Sequence, residues 1–267
     1  MDPKKHRKVL KYYERHTMAA PLAFAWAAMR AGSNAEKLGW INRQRDYLRL
    51  RDDASLLNLH RRLHGILADA ARQWSSYDYG EGYFYQGCRD IGLSGLRDTG
   101  ARLDAMRLKE LVAGKTVLEI GCNTGFVSLG IAATAASVTG FDINPYLIEV
   151  ARAVAGHLGA RNVRFEVSRF ETWDDRAGYD AVLSFANHST YDENTSQGIA
   201  EYFRRCASLV RPGGRFVFES HPPAHEGKGL AQVVREIERH FEISERRVLD
   251  YGTFLDRART FIVATRR

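Results

Sequence analysis

The residues of this 267-residue chain that could do chemistry fall at the ends of apolar runs. The β-branched run Thr116–Ile120 leads directly into Gly121, Cys122, Asn123, Thr124, Gly125 and Phe126. A glycine-bearing turn between a first strand and a first helix is where open α/β sheets bind nucleotides, because glycine permits a tight turn and close approach of ligand to backbone. Glu119 stands just before that turn, and Asp142 closes the next apolar run, Ser137–Phe141. An acidic residue about 20 positions past such a turn suits a nucleotide ribose, that of NAD included. The spacing departs from a dinucleotide turn, since positions 123 and 126, where the second and third glycines would stand, are Asn123 and Phe126. Asn adopts left-handed backbone angles more readily than other non-glycine residues, so Gly121, Asn123 and Gly125 can still share one turn.

Two further strand ends carry histidine. Tyr179–Ala186 runs into Asn187, His188, Ser189, Thr190, Tyr191 and Asp192, and Arg215–Ser220 runs into His221, Pro222, Pro223, Ala224, His225 and Glu226. Neutral imidazole, with an unperturbed pKa of about 6.5, is a suitable general base at neutral pH. His188 is the first candidate base and His221 the second; the alternative for each is a hydrogen-bonded loop histidine. Tyr191 and Asp192 are candidates to orient a base or hold substrate. Glu219 and His221 lie two apart on a strand and share a face, with His225 and Glu226 close in sequence. A divalent metal site there competes with a polar pocket wall; the spacing is not a recognised ligand set, and no metal is assigned.

The elements that must position these groups alternate from Arg102 onward, which is the mark of a parallel α/β sheet. Helical patterns cover Arg102–Val112, Gly125–Ala136, Pro145–Leu158, Ile199–Val210 and Leu230–Phe241. Strand patterns cover Thr116–Ile120, Ser137–Phe141, Val163–Val167, Tyr179–Ala186 and Arg215–Ser220, the last after a turn at Pro212, Gly213 and Gly214. Ser244–Asp250 and Thr260–Thr265 read as a closing antiparallel pair. Seven strands in this order predict one doubly wound domain over residues 102–267.

The turn Glu119-x-Gly121-x-Asn123-x-Gly125 resembles the first motif of the class I S-adenosylmethionine-dependent methyltransferases, with Asn123 in place of the middle glycine. Further stations follow in order: Asp142-Ile143 after the second strand, Ser168-Arg169-Phe170 after the third, Ser184–Asn187 with Phe185 at the end of the fourth, and Leu209 to Gly214 before the fifth. The resemblance implies a Rossmann-like seven-stranded sheet of order 3-2-1-4-5-7-6 with the seventh strand antiparallel, and S-adenosyl-L-methionine as cofactor. It assigns the ribose hydroxyls to Asp142 and the adenine to Ser168, Arg169 and Phe170. The chain lacks the Asn/Asp-Pro-Pro-Tyr/Phe sequence that marks methylation of amino nitrogens, which favours O-methylation of a small-molecule, sugar or lipid-linked hydroxyl. A second similarity, through the turn and the stretches Tyr83–Gln86 and Gly92–Arg97, is to wobble-uridine carboxymethyltransferase-like proteins, which act on tRNA with carboxy-S-adenosylmethionine. Those usually carry Tyr-His-Arg after the fourth strand, where this chain has Asn187, His188 and Ser189. The rival outside the methyltransferases is a nucleotide-binding protein, NAD-dependent or a ligand sensor.

Upstream of the sheet, residues 1–75 read as a basic helical cap and 76–101 as an aromatic, glycine-rich connector that is either packed on the body or a flap over a ligand. Within the connector, Tyr83, Tyr85 and Gln86 are candidates to cover the cofactor and Arg97 to meet its carboxylate, the alternative for Arg97 being a surface pair with Asp98 or Asp104. Leu56, Leu59, Leu63, Ile66, Leu67, Ala70 and Trp74 fall at helical spacing behind the candidate N-cap Asp53, and Gly32, Ser33 and Asn34 separate two shorter helices. Composition is ordinary for a globular chain, with 45% hydrophobic and 27% charged residues. The formal charge of +7 is uneven. Residues 1–75 hold 15 Lys/Arg against 7 Asp/Glu, and the remainder is near balance. That excess is either a solvated helical face, a contact for an acidic substrate such as tRNA, or a contact for an anionic membrane surface. The longest apolar stretch, Met18–Met29, is broken by Pro21 and too short to span a bilayer. Cys88, Cys122 and Cys206 form no paired framework, which fits a reducing, cytoplasmic setting.

Overall fold

Residues 20–74, 80, 82–175, 178–188, 195–251 and 258–267 are described by the computed structural model of the chain. Internal contacts divide it into two units, Met1–Gly100 with Tyr146–Ala160, and Ala101–Pro145 with Arg161–Arg267.

In the first unit the turn residues between apolar stretches become caps. Helix α1 (Ala20–Met29) is followed by α2 (Asn34–Leu50), whose N-cap Ser33 accepts the Glu36 N–H at 3.0 Å while the Glu36 carboxylate takes the Gly32 N–H. Asp53 caps α3 (Ala54–Gln73), accepting the Leu56 N–H at 3.0 Å. Phe24, Trp40, Tyr47 and Leu57 form the buried centre of this bundle. The aromatic connector packs against it: Tyr83 and Phe84 are buried, and the Tyr83 hydroxyl donates to Asp46 at 2.7 Å. Tyr85 and Arg97 belong to a short paired segment, in which Arg97 N–H donates to the Tyr85 carbonyl and the Arg97 guanidinium lies 4.5 Å from the Tyr85 ring centroid.

The second unit is built on seven strands, β1 (Thr116–Ile120), β2 (Ser137–Asp142), β3 (Val163–Val167), β4 (Tyr179–Phe185), β5 (Val210–Glu219), β6 (Phe241–Leu249) and β7 (Arg259–Arg266). They form one sheet of order β3-β2-β1-β4-β5-β7-β6. The first five are parallel, and β7 runs antiparallel between β5 and β6. Alternation along each strand sorts side chains into two cores. Leu118, Ile120, Val182, Phe216, Phe218 and Ile262 join one, with Tyr202, Phe203 and Cys206 of α8 (Ile199–Leu209) and Val233 and Ile237 of α9 (Gly227–Glu238). Val117, Ala181, Leu183, Val217, Phe261 and Val263 join the other, with Leu103 and Met106 of α4 (Thr99–Met106), Leu108 of α5 (Leu108–Leu111) and Val127 and Ile131 of α6 (Phe126–Ala132). Helix α7 (Pro145–Leu158) links β2 to β3 and falls, from Tyr146 on, with the first unit.

Several boundaries differ from the sequence expectation. The single helix expected over Arg102–Val112 breaks at Arg107, which takes a left-handed φ of 52° and reaches forward to the Glu110 carboxylate at 2.6 Å. The helix expected to run to Ala136 stops at Ala132, where Thr134 and Ala135 N–H both return to the Ile131 carbonyl. The helix expected to end at Phe241 ends at Glu238, because the Phe241 ring stacks on Phe216 at 4.8 Å and starts β6. The expected Pro212–Gly214 turn lies inside β5 as an irregularity: Val210 pairs with Tyr179, and pairing resumes only at Arg215 with Ala181.

Candidate active site

At the carboxyl end of β1 the chain turns on Gly121 (φ 61°), Asn123 (φ 54°) and Gly125 (φ 71°), so the asparagine does occupy the left-handed region where a glycine would be usual. The turn is held from β2. One Asp142 carboxylate oxygen accepts the Asn123 N–H at 2.9 Å and the other accepts the Asn144 N–H at 2.9 Å. The Cys122 N–H donates to the Phe141 carbonyl, and the Ser168 N–H to that of Asp142. These bonds leave a cleft lined by Ile120, Gly121, Phe141, Asp142, Ile143, Ser168 and Phe170. Five of those residues were expected from the sequence; Ile120 and Phe141 were not, since apolar strand ends look like core.

The remaining expected cofactor residues have the following surroundings. Glu119 is buried and accepts the Ser128 hydroxyl of α6, and burial pushes its carboxyl up to about 7. Arg169 is exposed, and Phe185 is half-buried with the Arg102 guanidinium 5.9 Å from its ring centroid. Tyr85 and Arg97 pair with each other in the first unit.

The ends of β4 and β5 bring the histidines together. Ala186 takes a left-handed φ of 58°, and its N–H donates to the Glu219 carbonyl at 3.0 Å, which turns the chain out of the strand. Asn187 then reaches back to donate to the Ile120 carbonyl at the rim of the cleft. His188 follows, half-buried, with Nε2 3.3 Å from the Gln197 carbonyl and its ring edge-on to Tyr202. A carbonyl only accepts, so Nε2 carries the proton in the neutral ring. His188 stacks on His225 at 5.8 Å between centroids, with an interplanar angle of 17°. His225, which the sequence offered only as part of a metal site or a polar pocket wall and not as a base, is 3% exposed and accepts the His221 N–H on Nδ1. Its Nε2 has no hydrogen-bond partner among the described residues. Burial, then the proximity of His188 and His221, lowers the pKa of His225 to about 4, and burial also lowers that of His188. Tyr191 and Asp192 lie outside the described residues.

Glu219 does not join the histidines. Its carboxylate is fully buried and accepts from Arg102 at 2.6 Å, Tyr251 at 2.7 Å and Arg259 at 3.4 Å, which makes it a brace between α4, β5 and β7. Among the described residues no group of three or more His, Cys, Asp or Glu side chains is placed to hold a metal.

A model of the methyltransferase domain family matches residues 111–253, from α5 past the end of β6 and across the cleft and all three histidines. The chain belongs to that family, the class I S-adenosylmethionine-dependent methyltransferases. Among relatives, a demethylmenaquinone methyltransferase of Tropheryma whipplei is 29% identical over 135 residues, covering 50% of this chain and 54% of that protein. A ubiquinone biosynthesis O-methyltransferase of Aromatoleum aromaticum is 32% identical over 119 residues, covering 45% of this chain and 49% of that protein. The chain thus spans about half the length of the curated relatives it matches. Among solved structures, the N-methyltransferase NodS from Bradyrhizobium japonicum, in complex with S-adenosyl-L-homocysteine, shares the fold with a TM-score of 0.50 at 16% identity, over 64% of this chain and 93% of that one.

The cleft fits the cofactor of the family, S-adenosylmethionine. A carboxylate oxygen accepts more than one hydrogen bond, so Asp142 can receive ribose hydroxyls beside the N–H groups that fix it. Ile120, Phe141 and Phe170 give apolar walls to a flat base, and Ser168 adds a polar edge. A Cβ on Gly121 would fall 2.2 Å from Asn187 Oδ1, so no other residue keeps this turn and the Asn187 tie together. The NAD reading of the turn is set aside by the family match.

Proposed function

We propose that the protein transfers a methyl group from S-adenosylmethionine to a hydroxyl of a small-molecule, sugar or lipid-linked acceptor, with His188 as general base. The bound cofactor supplies an electrophilic methyl on sulfur. The work left to the chain is to hold the acceptor oxygen in line and take its proton. His188 carries this reading: it sits one residue beyond Asn187, which ties β4 to the rim of the cleft. The Gln197 carbonyl fixes the proton on Nε2 and leaves Nδ1 as the basic nitrogen. Its lowered pKa keeps the ring neutral and ready to accept at pH 7. His221 is the second candidate, and Tyr191 remains a candidate to orient the base. An oxygen acceptor draws support from the relative named as a ubiquinone biosynthesis O-methyltransferase, and the relatives' names favour quinone-related acceptors over other small molecules.

The test is release of S-adenosylhomocysteine with a panel of quinols, catechols and sugars. His188→Ala should lower kcat by roughly 100-fold or more and leave cofactor affinity, read by calorimetry, unchanged. An unchanged kcat would remove His188 from the role, and turnover of amines alone would remove the oxygen acceptor.

A further inference from the structure

We propose that the outward face of α1 docks this protein on an anionic lipid bilayer. All ten side chains of α1 are apolar. Its inward face, Ala20, Phe24, Ala27 and Ala28, is buried in the bundle, with Phe24 stacked on Trp40 and edge-on to Tyr47. Leu22, Trp26 and Met29 recur at spacings of four and three, one stripe of a helix, and are 72%, 48% and 77% exposed. A helix on the surface of a water-soluble bundle presents polar residues outward; one that is apolar on both faces calls for a second apolar surface. On α2, the Gln44 amide donates to the Pro21 carbonyl at 3.0 Å, and one turn further on Leu48 exposes another large apolar side chain.

Charge selects the occupant. The Arg30 guanidinium, just past the end of α1, lies 5.0 Å from the Trp26 ring centroid, so a cation sits beside the apolar stripe. The sequence preceding α1 is strongly basic, with six Lys/Arg against two Asp/Glu in residues 1–19. Trp, Leu and Met flanked by cations match the interface of a bilayer that carries negative headgroups, where the apolar groups enter the acyl boundary and the cations stay among the phosphates. A nucleic acid would use the cations and could stack on Trp26, but it would leave Leu22 and Met29 in water. Among the described residues no helix is long and apolar enough to cross a membrane, so the contact proposed is peripheral. It stands independently of the reading of the active site.

The test uses the full chain with phosphatidylcholine vesicles, with and without phosphatidylglycerol. Binding is expected to the anionic vesicles, to weaken as salt rises, and to fall about tenfold or more in Leu22→Ser/Met29→Ser with the circular dichroism spectrum unchanged. Brominated acyl chains should quench part of the tryptophan emission, and Trp26→Phe should remove that part while still binding. Equal affinity of the double variant would overturn the proposal, as would absence of vesicle binding. Binding of tRNA without vesicle binding would assign the charge to RNA. A dimer that the double variant converts to monomer, without vesicle binding, would assign the face to a second copy of the chain.

Discussion

The backbone N–H of His221 donates to Nδ1 of His225 at 3.0 Å, and this one bond decides which nitrogen of a buried ring carries the proton. With Nδ1 accepting, neutral His225 presents Nε2–H. An unfolded histidine titrates near 6.5, and the folded pKa is lowered to about 4. Folding therefore favours the neutral ring, and the contribution is complete above pH 6.5 and lost as pH falls through about 4. The melting temperature of the wild type should drop through this window, and His225→Asn, whose side-chain oxygen can take the His221 N–H, should drop less. In a proton NMR titration the His225 midpoint should lie near 4; a midpoint near 6.5 would show that the ring is not held as described.

Asp142→Ala removes the acceptor of two backbone N–H groups, and with it the ribose contact that the family resemblance implies. Charge-assisted hydrogen bonds contribute about 1.5–3 kcal/mol each, so affinity for S-adenosylhomocysteine should fall on the order of 100-fold by calorimetry. Retained affinity would move the ribose contact away from this residue.

Burial raises the carboxyl of Glu119 to about 7, from an unfolded value of 4.5. The sign is opposite to that at His225: the contribution is present below pH 4.5 and lost as pH rises through about 7. Glu119→Gln keeps an acceptor for the Ser128 hydroxyl but does not titrate. In urea denaturation it should gain on the wild type between pH 5 and pH 8, by an amount on the order of 2 kcal/mol. A difference that stays flat with pH would mean that the carboxyl keeps one charge state throughout.

Gly121→Ala combines a backbone at φ 61° with a Cβ placed 2.2 Å from the buried Asn187 amide. Loss of about 2 kcal/mol or more in stability is expected, together with loss of cofactor binding. Adding Asn187→Ala should relieve the clash but not the backbone strain, so the double variant should recover only part of the melting temperature.

Much of this was legible in sequence because it rests on local chemistry. Strand alternation in Phe216, Val217 and Phe218 announces two buried faces, Asp53 announces a helix start, and Gly121 and Gly125 announce a turn. What escaped depends on partners distant in the chain. Arg107 breaks a helical pattern through a left-handed backbone that periodicity does not register. Glu219 looks like a companion of His221, two positions away, yet it is claimed by Arg102 and Arg259 from other elements. Ile120 and Phe141 read as core and in fact wall the cleft. His225 was legible as a neighbour of His221, but its stacking on His188 depends on the bend between β5 and α9.

Asn187 and His188 are neighbours in the chain but serve different places, the first gripping the Ile120 carbonyl and the second resting on His225. One peptide step, about 3.8 Å between Cα atoms, separates the two duties. The cleft and the histidines therefore share a ruler of fixed length, and neither can be enlarged or shifted without dragging the other. The length of chain between Asn187, tethered to Ile120, and the imidazole is therefore not free to change while both contacts are kept.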